Sequence, residues 1–212
     1  MKTDELIEAL ALDAGPSRAV SPRLMAAAAL GALGAFGLVV LWLGFRPDLA
    51  EAPGTRMFWM KAAYTALLAL GGFWSVERLS RPVGSSRRGL VLALSVFALL
   101  AAAGLWQFMA AQPVERMPIL MGESWRRCPR NILVLGMPVL AATLLVVRGL
   151  APTRLTLAGA AAGLFAGGVA ATVYGLHCPE NTMTFVAVWY SLGVAAVTAT
   201  GALLGRWALR WR

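Results

Sequence analysis

Six long apolar stretches, separated by short polar breaks, organise this sequence. A helix of about 20 residues crosses the roughly 30 Å of hydrocarbon in a bilayer, and each stretch is about that long. The breaks are rich in arginine, proline and polar residues. The pattern predicts an all-α membrane protein, a six-helix transmembrane bundle of three helical hairpins. The predicted spans are residues 24–44, 57–77, 89–110, 131–148, 155–176 and 184–205.

The composition supports a membrane location and argues against nucleic-acid binding. Of the 212 residues, 59% are apolar and 14% are charged, whereas ordinary soluble domains carry about 25% charged residues. The net charge of +9 comes almost entirely from arginine. These arginines are spread over many breaks instead of forming one stripe, so we predict contact with the lipid bilayer and no direct contact with nucleic acid.

The distribution of lysine and arginine predicts the orientation of the chain. Twelve of the nineteen lie in the leader, the second and fourth breaks and the C-terminal tail, and six lie in the other breaks. Because the more basic side faces the cytoplasm, we expect a multi-pass protein of a bacterial inner membrane with both termini cytoplasmic. The chain then divides into a cytoplasmic leader (1–23), a membrane domain (24–205) and a basic cytoplasmic tail (206–212).

The predicted spans contain few groups suited to transport or catalysis. Apart from Arg148 at the very end of the fourth span, Lys61 and Glu77 are their only charged residues, and both lie near a predicted end. Long basic side chains can extend to the interface, so we expect Lys61 to do this. The spans lack the Asp, Glu or His residues of a pump and any nucleophile paired with a base. The sequence therefore predicts no enzyme and disfavours a transporter.

Small residues recur at every fourth position of the fifth stretch, and two more follow in the sixth. This spacing places them on one helix face, where a neighbouring backbone can approach closely. The face is predicted to pack helices together, and a sliding surface or a homodimer contact is left open. Pro138 is predicted to kink the fourth helix. The small residues are Gly159, Gly163, Gly167, Ala171, Gly175, Gly201 and Gly205.

Cys128 and Cys178 are the only cysteines, and a proline follows each of them. They lie in the third and fifth breaks, which the orientation places on the outer side. Disulfides persist in that oxidising compartment. One interpretation is a structural disulfide, whose loop of about 50 residues would contribute about 3–4 kcal/mol. The other is a sensor that switches between dithiol and disulfide or captures a soft metal ion.

Neighbouring residues add to the second interpretation. Arg126 and Arg127 are expected to lower the pKa of Cys128 and favour its thiolate. His177 is the only histidine and precedes Cys178, so it is a candidate third ligand to a thiophilic metal ion. No spaced ligand cluster is present, and we expect no resident cofactor beyond transient metal at the cysteine pair.

The leader contains a short segment with the pattern of an amphipathic acidic helix. Thr3 is a plausible N-cap and Gly15-Pro16 ends the segment. Such a short helix is not stable alone in water, so it is either loosely ordered or folds on a cytoplasmic partner, unless it lies on the membrane as an interfacial helix. The acidic face favours the partner. One face carries Leu6, Ile7 and Leu10, and the other carries Asp4, Glu5 and Glu8.

Several of these features together resemble the NrsF family of negative regulators of extracytoplasmic-function sigma factors. The resemblance rests on the opening residues 1–7, the six-span layout, and single cysteines in two outer breaks. The segment Gly175-Leu176-His177-Cys178-Pro179-Glu180, followed by Trp189, looks particularly similar.

The resemblance implies an anti-sigma factor of the inner membrane that holds a sigma factor idle and releases it under oxidative or heavy-metal stress. Cys128 and Cys178 would take the sensing role. The leader residues Asp4, Glu5, Leu6, Ile7, Glu8 and Leu10 would contact the sigma factor, and the basic inner loops would share that contact. The alternative is a small membrane transporter, or a membrane thiol-redox protein with a structural periplasmic disulfide.

Overall fold

The computed structural model describes Thr3 and residues 20–81, 84–150 and 152–210. Within this part of the chain every regular element is a helix, so the all-α prediction is confirmed. The helices are α1 (Val20–Leu38, extended by a π-helical turn, Val39–Leu43), α2 (Arg56–Leu79), α3 (Arg87–Ala110), α4 (Pro113–Met121), α5 (Cys128–Arg148), α6 (Leu155–Tyr174) and α7 (Met183–Ala208, with a π-helical turn at Val186–Tyr190).

Five helices, α1, α3, α5, α6 and α7, are long and apolar enough to cross a membrane. Helix α2 occupies the second predicted span and has 24 residues, but it is not among the five. Its sequence includes Lys61, Glu77 and Arg78, and these charges reduce its apolarity. The five apolar helices begin and end within four residues of the boundaries of the predicted spans.

Helix α4 was not predicted, because it lies in the third polar break. Its start has a recognisable signal: Pro113 occupies the first turn, and Gln112 and Glu115 form a reciprocal capping box. Helix α5 then begins at Cys128, three residues earlier than the predicted span. The third break is therefore an ordered helix and turn that leads directly into the first cysteine.

Helix α6 is at the centre of the bundle and packs against α7, α2 and α5. Helices α6 and α7 form a hairpin, but the first two predicted hairpins do not pack as pairs in this way. Helix α1 lies mainly against α5, and α3 lies mainly against α2 and the start of α7. The close glycine contacts of α6 draw its neighbours together irrespective of their order in the chain.

The small residues of α6 face the backbone of α7, as their spacing predicts. A Cβ atom added to Gly163 would lie 2.6 Å from Thr198 Cα, and one added to Gly205 would lie 2.8 Å from Gly159 Cα. Gly175 does not belong to this surface, because it follows the end of α6 and has only its own preceding turn nearby. On another face of α6, Gly168 approaches Ala69 of α2 equally closely.

We predict that Gly163→Ala destabilises the bundle by about 1–3 kcal/mol, because the added methyl group must push α6 and α7 apart. The matched control is Gly37→Ala, since a Cβ there meets nothing within 4 Å. Both substitutions carry the same gain in helix propensity of about 1 kcal/mol. Thermal unfolding in detergent measures the difference, and equal unfolding temperatures for the two variants would contradict the prediction.

Candidate functional site

The two cysteines lie together at one end of the bundle. Cys128 is the first residue of α5, and Cys178 lies in the segment 175–182 that joins α6 to α7. Both are free thiols and both are buried. The Cys128 thiol is positioned to donate to the Cys178 sulfur. We call this cluster and the segments around it the thiol end of the bundle.

Two basic side chains fix the backbone on either side of Cys178. Lys61 Nζ donates to the carbonyl oxygens of Cys178 and Glu180, at 2.9 and 3.0 Å. Arg46 Nη1 donates to the Cys178 carbonyl at 3.3 Å, and the Arg46 amide donates to Leu176 O at 3.1 Å. The cysteine segment is therefore attached to α2 and to the segment before α2.

Arg46 is oriented by an ion pair with Asp48. Arg46 Nε and Nη2 each donate to one Asp48 carboxylate oxygen at 2.6 Å. This two-point contact raises the pKa of the Arg46 guanidinium and lowers the pKa of the Asp48 carboxyl. Asp48 thus compensates the charge of Arg46 and fixes its orientation. In this orientation Arg46 can also donate a hydrogen bond to the Cys178 segment.

Lys61 is buried within the protein, whereas the sequence led us to expect an ammonium extended to the interface. The residue is 2% exposed, and its ammonium lies 5.6 Å from the centre of the Tyr190 ring. A buried ammonium needs compensating partners, and the two carbonyl groups provide them. The signal in the sequence was the lone lysine in an apolar stretch, which marks a buried polar site as readily as a helix end.

Glu180 attaches the Cys178 segment to the turn that precedes Cys128. Its Oε1 atom accepts hydrogen bonds from Glu123 N at 2.9 Å, Ser124 N at 3.0 Å and Ser124 Oγ at 2.9 Å. Gly122 permits this approach: its φ is +53°, and a Cβ there would lie 2.6 Å from Glu180 Cδ. Glu180 therefore connects the two cysteine-bearing segments through its side chain.

Two tryptophans and a threonine make contacts near the cluster, on the side where α4 lies. The rings of Trp125 and Trp189 lie 5.2 Å apart, and Trp189 Nε1 donates to Leu120 O at 2.8 Å. Thr182 Oγ1 donates to Ile119 O at 2.9 Å. These contacts connect α4 to the start of α7, beside the segment that carries Cys178.

The thiol favoured as thiolate is Cys178. The hydrogen bond donated by Cys128 lowers the pKa of Cys178 to about 6, and the Lys61 ammonium adds to this effect against the opposing effect of burial. The sequence instead pointed to Cys128, activated by Arg126 and Arg127. Both arginines are exposed, and the Arg126 guanidinium lies 4.7 Å from the centre of the Trp125 ring.

His177 is not directed toward the thiols. Its Nδ1 atom lies 2.8 Å from Gly44 O, and its ring lies 5.5 Å from that of Tyr174. In the described ranges, no group of three or more His, Cys, Asp or Glu side chains is placed to hold a metal ion. The structure thus does not bring together the predicted three-ligand set of Cys128, Cys178 and His177.

The predicted sigma-contact residues lie outside the described residues, so their geometry does not enter the site. They are Asp4, Glu5, Leu6, Ile7, Glu8 and Leu10.

The fold and the site place this chain in a class of protein. Members of this class are all-helical, with helices long enough to cross a membrane and a buried pair of thiols at one end of the bundle. Comparison with known proteins identifies the family. The model of the family NrsF, described as negative regulator of sigma F, matches residues 10–211. The chain therefore belongs to the NrsF family.

Two curated relatives are similar over the full length of both chains. The anti-sigma-F factor NrsF of Caulobacter vibrioides is 54% identical over 214 residues. The probable anti-sigma-F factor NrsF of Azospira oryzae is 44% identical over 218 residues. No solved structure matches the chain.

The lowered pKa of Cys178 predicts a specific pH dependence of its reactivity. Because the thiolate is the nucleophile, alkylation of Cys178 should reach half its maximal rate near pH 6 and slow at lower pH. In Cys128→Ala the donor is lost, so the midpoint should move to higher pH. Peptide mapping by mass spectrometry after timed alkylation measures the rate at Cys178.

The control is Arg126→Gln, which removes an exposed charge near Cys128 in sequence and should leave the profile unchanged. A shift in this variant as large as that in Cys128→Ala would show that the exposed arginines act on the thiols after all.

Proposed function

We propose that this protein is an inner-membrane anti-sigma factor that sequesters an extracytoplasmic-function sigma factor. The observation that carries the proposal is the similarity to anti-sigma-F factors over the whole chain, at 54% and 44% identity. The role is regulatory and needs no catalysis. With only two cysteines in the chain, the site lacks the second cysteine pair that a thiol oxidoreductase usually uses.

The proposed topology has six spans with both termini in the cytoplasm. Five helices have the length and apolarity of spans, and α2 has the same length with its buried lysine compensated by carbonyl groups. Basic residues are more numerous at one end of the bundle than at the other. The end opposite the thiols, which we call the basic end, presents the exposed residues Arg78, Arg81, Arg87, Arg88, Arg148, Arg154, Arg206 and Arg210, as expected for a cytoplasmic face.

The thiol end would then face the periplasm and act as the sensor. Two chemistries can change it. An oxidant can remove two electrons from the thiol–thiolate pair of Cys128 and Cys178, with loss of the one remaining thiol proton, to leave a disulfide, or a soft metal ion can displace that proton and bind both sulfurs. The hydrogen-bonded pair supports either reaction, since one sulfur is already favoured as the thiolate nucleophile.

Either reaction removes the thiol–thiolate hydrogen bond and changes the segment to which Lys61 and Arg46 are bonded. Helix α2 begins near this segment and ends at the basic end, so it connects the two ends, as does α5. A shift from 1:99 to 99:1 between two bundle states requires about 5.5 kcal/mol. A disulfide contributes about 3–4 kcal/mol, so a partial response is expected.

The sigma factor would contact the acidic leader and the basic inner loops. The apolar face of Leu6, Ile7 and Leu10 suits a groove on the partner, with Asp4, Glu5 and Glu8 directed to its basic rim. The leader alone is short, so the basic inner loops, with Arg81 and Arg154 among their exposed residues, are proposed to extend the contact surface.

Deleting residues 1–14 should therefore raise transcription from a sigma-dependent promoter while the protein stays in the membrane at normal levels. A promoter reporter and a membrane immunoblot measure the two quantities. The control is Asp13→Asn, which lies in the leader but outside the proposed contact residues. A reporter that stays repressed by the truncated protein would refute the leader contact.

The double substitution Cys128→Ser, Cys178→Ser should keep the sigma factor repressed and abolish its release by oxidant or by a soft metal ion such as cadmium. A purely structural disulfide predicts the opposite pattern: less protein in the membrane and higher basal transcription. Reporter activity with and without stress, together with protein level, separates these outcomes. An intact stress response in the double variant would refute the proposal that the cysteines are the sensor.

A further inference from the structure

A long groove opens on the side of the bundle between α3 and α7. Its volume is about 760 Å³. Tyr64 and Leu68 of α2 form part of its floor and are each only 4% exposed, while Leu94 of α3 and Leu192 of α7 form its walls and are 57% and 50% exposed. The groove is thus a feature of the lipid-facing surface and not a closed cavity in the core.

The groove exists because α3 and α7 contact each other at one end only. At the thiol end, Thr184 Oγ1 donates to Gly104 O at 2.7 Å, and Thr184 N donates to Gln107 Oε1 at 3.1 Å. Beyond Tyr190 the two helices diverge. On the diverging part, α7 presents small side chains to the groove, Ala195 and Ala199 among them, which leaves it wide.

The lining of the groove suits a hydrocarbon chain. Its hydroxyl groups are already hydrogen-bonded within the protein: Tyr64 to Ser191 at 2.6 Å, and Thr198 to the Val194 carbonyl at 2.8 Å. From Ala187 to Ala202 the lining residues of α7 extend over about 22 Å at 1.5 Å per residue. One leaflet of the hydrocarbon core is about half of 30 Å, so an acyl chain is accommodated along its whole length.

Arginine side chains lie at the wide end of this groove, which is at the basic end of the bundle. Arg87 lies one turn before the lining residue Leu90 on α3, and Arg206 lies one turn after the lining residue Ala202 on α7. Both arginines and the adjacent Arg88 are exposed. The carboxylate nearest in sequence among the described residues of this end, Glu77, is paired with Arg81 at 3.5 Å.

We infer that this groove binds an anionic phospholipid, with one acyl chain between α3 and α7 and the phosphate group held by Arg87, Arg88 and Arg206. Guanidinium groups are well suited to phosphate because they donate two parallel hydrogen bonds. The apolar groove and the basic cluster are separate observations, and a phospholipid is the ligand whose two parts match both. The inference does not depend on the identity of the sigma factor.

Native mass spectrometry of the full-length protein in detergent tests this site, with dioleoyl phosphatidylglycerol titrated against dioleoyl phosphatidylcholine. Phosphatidylglycerol should bind more tightly. The triple variant Arg87→Gln, Arg88→Gln, Arg206→Gln should weaken its binding roughly 100-fold, about fivefold for each arginine. Ala199→Phe should weaken the binding of both lipids, because the ring fills the groove.

Two matched controls keep the test specific. Arg148→Gln, Arg154→Gln removes charge from the same end but away from the groove, and Ala141→Phe adds a ring to an exposed position of α5. Both should bind phosphatidylglycerol as the wild type does, and thermal unfolding checks that all variants are folded.

Three results would overturn the inference. Equal binding of the two lipids would show that the arginines do not select the headgroup. An equal loss in the Arg148 and Arg154 variant would show diffuse attraction to the whole basic end. A stable dimer that Ala199→Phe dissociates, with lipid binding unchanged, would show that a second copy of the chain occupies the groove.

Discussion

The close backbone contact between α6 and α7 is the constraint on which the rest of the structure depends. Glycines on both helices allow it, and each helix continues into the segment that carries Cys178. Once the two helices are packed, the ends of residues 175–182 are fixed at a short separation. The polar contacts of Lys61, Arg46 and Glu180 then have a defined target. In this protein, packing along the apolar helices determines the geometry of the polar site at their end.

Much of the helical architecture could be predicted from the sequence because two periodicities are strong. The length of the apolar stretches predicts the helices, and the four-residue spacing of glycines predicts the face on which α6 meets α7. The pairing of helices could not be predicted in the same way. Connections in the chain suggest hairpins, but contact surfaces such as that of Gly31 with Val139 bring α1 to α5.

The site was predictable only in part, for reasons that concern individual groups. Both cysteines were found, because cysteine pairs in polar breaks are conspicuous. The groups that orient them were not found. Lys61 is 117 residues from Cys178 in the chain. Arg46 binds the backbone carbonyl of Cys178, and a backbone contact of this kind requires no particular side chain that the sequence could reveal. Arg126 lies near Cys128 in sequence but stacks on Trp125, so sequence proximity misidentified the cation that acts on the thiols.

The buried lysine also has a consequence for how the chain is assembled. Lys61 is synthesised well before the carbonyl groups of Cys178 and Glu180 that compensate it. Until they appear, the ammonium lacks its partners in an apolar helix, where insertion scales give a cost of at most about 2.5–3.5 kcal/mol, the value for a helix centre. Helix α2 can therefore take its final position only after the segment between α6 and α7 has been made. The bundle is therefore completed only late in synthesis, when its C-terminal part has been made. A chain that ends before residue 178 lacks the carbonyl groups that bind Lys61 of α2.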